Sequence, residues 1–333
     1  MATQSTEQNS GPGKLSLHKD EKGLLYTKLN TGAVLPAIGY GVGGVSWSRS
    51  GDAKAKKLEE CIEVAVRSGC RHIDTAAIYG TEPQVGNAVA KLIKEGVVTR
   101  EELFITTKLW HERHGRENVR PALLESLAKL NMDYVDLYLV HTPFSTVPLH
   151  ETWEGMEEIH MEGLAKAIGI SNFSLKKLGD LLPRVSIRPA VHQIEVHPGW
   201  RNDDLISHAH ANGIVPTAYF PLGGARPEFE KLWENETVKQ IAQKVSKNPG
   251  QVLLRWGLQH GCVVLPTSEN PERIKGNLDV ADWSLSEEDY DALCRISPQK
   301  KRITFQNMLS DNGPFKSFDD LWDEKLEKVN GRM

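Results

Sequence analysis

Cysteine is scarce and scattered: the 333-residue chain has four, Cys61, Cys70, Cys262 and Cys294, and no two form a CxxC pair. That spacing excludes a disulfide-stapled scaffold and a cysteine zinc module, and predicts reduced thiols in a reducing compartment, with the cytoplasm as the expected location. Long apolar runs are missing as well. None reaches the ~20 residues of a membrane helix, and Met1–Ser10 has neither a signal-peptide core nor an Arg-rich presequence. The C-terminal Gly-Arg-Met is not a peroxisomal address. Nor is there a surplus of one charge, since 40 Lys+Arg face 44 Asp+Glu for a net −4. Nucleic acid and anionic membrane both select basic patches, so neither is the expected partner; a small molecule is.

What is present is a globular composition, 39% hydrophobic and 25% charged, sufficient for a sizeable core. Residues 1–23 are rich in Ser, Gln and Gly and poor in large apolar groups, which predicts a flexible N-terminal extension. From Leu24 onward, eight β-rich runs alternate with amphipathic stretches: Val34–Gly41, Arg71–Thr75, Leu103–Thr107, Tyr134–Val140, Ala165–Ile170, Ala190–Val196, Ile214–Phe220 and Cys262–Leu265. Between them, helical periodicity covers Ala53–Ser68, Glu117–Leu130, His150–Glu162, Asp203–Asn212 and Thr237–Ser246, with Gly69, Gly163, Gly213 and Gly261 placed as left-handed caps. Strands that are nearly all apolar suit a parallel sheet covered on both faces. Eight β/α units within about 250 residues, without a linker, predict one domain, a single (β/α)8 TIM barrel over residues 24–333. A tail from about residue 297, containing Phe305, Phe315, Phe318 and Trp322, is expected to cap the barrel mouth.

Polar residues gather at the C-terminal ends of these strands, the face where a barrel assembles its active site. Asp74 ends the second strand and Tyr79 follows it; Lys108 ends the third and His141 the fourth. Taken singly they read as a helix cap, a half-buried aromatic, a solvated end charge and a core histidine. On one face they form a coherent set. A phenol is a poor acid near neutrality, an adjacent ammonium such as Lys108 stabilises its phenolate, Asp74 would hold that ammonium, and His141 would donate to a substrate oxygen.

The segments Asp74-Thr-Ala-Ala-Ile-Tyr79-Gly80, Thr107-Lys108-Leu-Trp110, Leu139-Val-His141 and Gly169-Ile-Ser171-Asn172-Phe173 resemble the aldo-keto reductases. The successive intervals, 5 residues from Asp74 to Tyr79, 29 from Tyr79 to Lys108 and 33 from Lys108 to His141, match that family's catalytic tetrad. The resemblance spans Leu29–Trp283. It implies NADPH-dependent reduction of aldehydes or ketones on a (β/α)8 barrel, with Tyr79 protonating the carbonyl oxygen. It also implies that Ser171, Asn172 and Gln193 hold the nicotinamide carboxamide, that Tyr219 stacks on the nicotinamide, and that Leu222 and the Gly223-Gly224 loop approach the pyrophosphate. Ser268, Arg273 and Asn277 then fall at the adenosine end, with Arg273 facing a ribose 2′-phosphate. Trp110 matches a pocket aromatic.

Three departures matter. Pro266-Thr267-Ser268-Glu269 stands where the family commonly has Pro-Lys-Ser, which removes one cation and leaves NADH as a second candidate coenzyme. His141-Thr142-Pro143-Phe144 lacks the usual Trp after the histidine, placing Thr142 in the substrate pocket. The first loop, Gly43–Ser50, lacks the tryptophan found directly after strand one, and Trp47 is expected to substitute. The His141–Phe144 segment, the Thr267-Ser268 variant and Leu321-Trp322 resemble, more narrowly, a microbial branch of α-keto amide and conjugated polyketone reductases. That branch implies activated carbonyls: α-keto amides and esters, ketopantoyl lactone, conjugated diketones. A broad aldehyde or sugar reductase, or a non-catalytic NADP(H)-sensing regulatory subunit, are the alternatives; oligomeric state is not legible. Gly39-Tyr-Gly41-Val-Gly43-Gly44 satisfies G-x-G-x-x-G, but no helix opens directly after it, so a Rossmann site is not predicted. His111-Glu-Arg-His114 is one residue short of a zinc helix and reads as a surface loop.

Overall fold

A computed structural model describes residues 12–43, 51–224, 229–311 and 314–323. Among them, eight parallel strands run in sequence order: β1 (Tyr40–Gly41), β2 (His72–Asp74), β3 (Phe104–Leu109), β4 (Val135–Val140), β5 (Ala165–Ser171), β6 (Val191–Glu195), β7 (Val215–Tyr219) and β8 (Val263–Leu265). Ile38 bridges Val264 in parallel, and Gly39 N–H donates to Val264 O at 2.9 Å, so the eighth strand meets the first and the sheet closes. Closure leaves no edge strand to protect. β8, one of the apolar runs, is buried along its whole length, and so is β3 despite its two threonines and lysine.

Around the sheet lie α1 (Asp52–Arg67), α2 (Glu82–Lys94), α3 (Arg116–Leu130), α4 (Leu149–Met161), α5 (Leu175–Leu181), α6 (Asp203–Ala211), α7 (Glu236–Lys244) and α8 (Pro249–Gln259), followed by α9 (Pro271–Gly276) and α10 (Glu287–Cys294). The local signals account for their ends. Asn248 and Gln251 form a reciprocal capping box ahead of α8, with Pro249 at the first helical position. Gly69, Gly163, Gly213 and Gly261 take the positive φ anticipated for them, between 69° and 104°. Each fully buried Leu, Ile or Val of this core stabilises the fold by about 1.5–3 kcal/mol relative to exposure.

Two expectations need correction. Val34–Gly41 is not one strand. Val34–Pro36 pairs antiparallel with Leu25–Lys28, and only Tyr40–Gly41 joins the barrel. Pro36 has no N–H for a ladder, and the partner changes at Ala37, whose N–H donates to Leu25 O while its carbonyl accepts from Val264 N. Residues 12–23 are not a loose extension either: His18–Lys19 pairs with Leu25–Tyr26, Leu15 is buried, Lys19 pairs with Asp282, and Ser207 Oγ donates to Pro12 O at 2.7 Å. One buried leucine, a strand pairing and these polar ties offset ordering entropy that composition alone predicted would prevail. Asn30 Nδ2 donates to Pro189 O, just ahead of β6, so this antiparallel unit covers the N-terminal end of the barrel.

The tail crosses the opposite end. Arg302 and Ile303 donate their backbone N–H groups to Glu195, the last residue of β6, at 2.7 and 2.8 Å. Beyond them, α11 (Phe318–Trp322) brings Leu321 and Trp322 against Phe144, three residues past His141, in a cluster with Phe305, Phe315 and Phe318 that is separate from the barrel core. The predicted capping tail is thus present, held by aromatic edge-to-face contacts of Phe144 with Phe305, Phe315 and Trp322 at 5.3–5.9 Å.

Candidate active site

The residues at the C-terminal strand ends converge. Asp74 is the last residue of β2, Lys108 the fifth of β3, and His141 follows β4 directly; Tyr79 ends a short 3-10 turn, Ala77–Tyr79, after β2. Parallel register places neighbouring strand ends side by side, and alternation aims these side chains inward. Lys108 is fully buried, and its Nζ donates to Asp74 Oδ1 at 2.5 Å and to Thr75 O at 2.7 Å. The same ammonium lies 5.1 Å from the Tyr79 ring centroid, within cation–π range. Tyr79 OH and His141 Nε2 are 3.4 Å apart, with the rings edge-to-face at 86°. That separation is long for a hydrogen bond, as is common before a substrate draws such groups together.

Burial sets the protonation states. It pushes the Tyr79 phenol well above the usual tyrosine range, and the Asp74 carboxylate adds to the rise. It pushes the His141 imidazole well below its ordinary value, with Lys108 acting in the same direction. Burial also lowers Lys108, against which Asp74 pulls upward. The phenol is therefore neutral and so is the imidazole. The easing of proton release expected from Lys108 does not prevail in this state, because removing the phenolate from water costs more than the nearby ammonium returns.

A second polar layer joins the first. Gln193 Nε2 donates to Asp74 Oδ2 at 2.8 Å, Ser171 Oγ donates to Gln193 O at 2.8 Å, and Asn172 Nδ2 donates to His141 O at 2.9 Å. Tyr219 OH donates to Asn172 Oδ1 at 2.7 Å. Asn172 holds φ at 63°, a left-handed conformation that asparagine tolerates better than most residues. The three residues expected at the carboxamide, Ser171, Asn172 and Gln193, and Tyr219, expected to stack on the nicotinamide, are thus in one network with Asp74 and His141. Leu222 and Gly223 follow β7, where Gly223 N–H donates to Phe220 O at 2.7 Å. Ser268 lies past β8 with its carbonyl accepting from Tyr40 OH at 2.7 Å, Arg273 is exposed on α9, and Asn277 caps the C-terminus of that helix.

The expected substrate contacts fare differently. Trp110 is half-buried and packs edge-on against His141, centroids 5.1 Å apart. Thr142 is fully buried, its Oγ1 without a partner among the described residues, and the tail cluster packs on neighbouring Phe144. Trp47 lies outside the described residues. His114 also differs from its surface-loop reading, for it is buried after the 3-10 turn His111–Arg113.

Sequence reading passed over three positions. The Thr75 carbonyl, a backbone atom, carries no residue-type signal. Gly43 was read only as part of a glycine run, yet it abuts Tyr79. Glu195 is the last residue of β6 as Asp74 is of β2, and strand-end position alone would have found it. Burial by itself raises the Glu195 carboxyl, but bonds from His197 and from the Arg302 and Ile303 backbones outweigh that and hold it below the usual carboxylate range.

The sequence model of the Aldo/keto reductase family matches residues 37–297. The chain is 39% identical over 292 residues to aldo-keto reductase AKR2E4 of Bombyx mori, covering 83% of this chain and 93% of that protein. It is 39% identical over 311 residues to deoxymugineic acid synthase 1 of Zea mays, covering 88% and 97%, and 38% identical over 301 residues to aldo-keto reductase family 1 member A1 of Mus musculus, covering 83% and 90%. The crystal structure of the Bombyx mori protein in complex with NADP superposes with a TM-score of 0.76 at 39% identity, over 81% of this chain and 91% of that one. The protein belongs to the aldo/keto reductase family, and it is an oxidoreductase acting on carbonyl groups.

Proposed function

We propose that this protein reduces aldehydes or ketones to alcohols with NADPH, using Tyr79 as the general acid. The observation that carries this reading is the neutral Tyr79 phenol between the neutral His141 imidazole and the Lys108–Asp74 pair. The similar Bombyx mori structure is a complex with NADP. The residues at the expected coenzyme site fit such a group. Gln193 spends its amide nitrogen on Asp74, while its Oε1 has no hydrogen bond among the described residues and can accept from a carboxamide N–H. Arg273 is exposed and, among the described residues, forms no ion pair, which suits a 2′-phosphate.

When bound, the coenzyme supplies a hydride to the carbonyl carbon. The chain's own residues handle the proton and the charge. Tyr79 O–H gives its proton to the carbonyl oxygen, and the phenolate so formed is stabilised by Lys108, whose own burial Asp74 compensates. His141, held neutral, has one N–H to orient the oxygen. Trp110 forms a flat wall beside it.

Within this activity the reading favours activated carbonyls such as α-keto esters and amides and cyclic diketones, on the support of the His141–Phe144 segment, where no indole follows the histidine. The test is coenzyme oxidation by the wild-type chain and by Tyr79→Phe across those substrates, simple aldehydes and sugars. Tyr79→Phe is expected to lower kcat by about 10²–10⁴-fold with little change in coenzyme binding. Undiminished turnover would reject Tyr79 as the acid, and a flat profile favouring simple aldehydes would replace the activated-carbonyl reading with a broad aldehyde reductase.

A further inference from the structure

The run Gly39-Tyr-Gly41-Val-Gly43 does not serve a Rossmann loop, and its last glycine has another use. A Cβ placed on Gly43 would lie 2.7 Å from Tyr79 Cε2, 2.8 Å from Cζ and 3.1 Å from the hydroxyl oxygen. The first two are closer than carbon atoms approach without one of them moving. Gly43 is not among the glycines with positive φ, so its backbone makes no demand for glycine; the demand is for room. Gly80, on the other side of Tyr79, is the reverse case, with φ +69° and nothing within 4 Å of a built Cβ.

The place of Tyr79 is set by its contacts, so any yielding carries the hydroxyl off it. Its backbone is fixed by the 3-10 turn Ala77–Tyr79, with Tyr79 N–H donating to Ala76 O at 3.0 Å. Its ring has the Lys108 ammonium 5.1 Å from its centroid and the edge-to-face His141 ring at 5.4 Å. A side chain at position 43 therefore displaces the phenol rather than merely crowding it.

We propose that Gly43 is a positioning residue for the reduction: its bare Cα is the surface against which the Tyr79 ring rests, and it fixes the hydroxyl within reach of His141. This rests on Tyr79 being the proton donor. The experiment compares Gly43→Ala and Gly43→Ser with the wild type and with Gly51→Ala, a glycine whose built Cβ meets nothing within 4 Å. Gly43→Ala is expected to lower kcat by about 10- to 100-fold, with NADPH affinity kept within about twofold and the thermal midpoint retained. In a Tyr79→Phe background the same substitution is expected to change the residual rate by less than about twofold, because the group it displaces no longer transfers a proton.

A kcat indifferent to Gly43→Ala, or a loss that multiplies in full on top of Tyr79→Phe, would overturn the positioning role. So would loss of folding in both Gly43 variants, which would make the position a structural one. The two readings fail separately: a wild-type rate that survives Tyr79→Phe removes the proton donor itself, whereas a rate abolished by Tyr79→Phe but untouched at Gly43 removes only the positioning residue.

Discussion

At the scale of single residues, the site works by controlling which groups carry charge. Tyr79 and His141 are neutral because burial disfavours their ionised forms, and the buried Lys108 cation is tolerated because Asp74 and the Thr75 carbonyl satisfy it. Coenzyme choice also rests on single residues. Thr267 and Glu269 precede Arg273 by a few residues in sequence where the family commonly has a lysine, so Arg273 is the proposed contact for a 2′-phosphate without a lysine to share it. Arg273→Ala is expected to weaken NADPH binding about 10-fold or more while changing NADH binding little, as read by fluorescence titration with both coenzymes; equal losses would remove the 2′-phosphate role. Asp74, Tyr79, Lys108 and His141 were legible in the sequence because each has a distinctive chemistry at a strand end. Gly43 was not, since a missing side chain gains meaning only from the ring that occupies its place.

Among the elements, strand ends carry the polar groups and the tail is fastened at that end of the barrel. The tail is attached by two different means: Glu195 receives its backbone at residues 302 and 303, and Phe144 anchors its aromatic cluster. Trp322 also donates its indole N–H to Thr304 O at 2.9 Å, closing the tail on itself. Phe144→Ala is expected to cost about 3–5 kcal/mol, because a buried ring leaves a cavity that its four aromatic neighbours cannot fill by small shifts. A urea midpoint followed by tryptophan fluorescence reads this, and an unchanged midpoint would show the cluster to be independent of the fold's stability. The five helices that periodicity marks, α1, α3, α4, α6 and α7, and seven of the eight strands lie within about two residues of their expected bounds, whereas α2, α5, α8 and α9 have no bounds from periodicity. The exceptions, residues 12–23 and the split at Ala37, were settled by pairing partners far away in sequence.

For the molecule as a whole, buried histidines link stability to pH. Burial lowers His72 and His114 to about 4 and His192 to about 3. Each is neutral in the folded state, while in the unfolded chain it takes up a proton near its ordinary value of about 6.5. The stability these groups support is therefore complete above about pH 6.5 and is lost as pH falls toward their folded values, by up to about 2 kcal/mol each by pH 5. Denaturation midpoints measured from pH 7 to 5 are expected to fall steadily over that range; a flat profile down to the carboxylate range would contradict it. The sequence by itself determined the alternation of elements, the eightfold count and the tetrad, because periodicity and residue chemistry are local properties. Tertiary structure alone decided that the tail packs on Phe144, that the N-terminal segment is packed, and that Gly43 faces Tyr79. Those outcomes depend on which distant surfaces meet, and no local pattern records the shape of the partner.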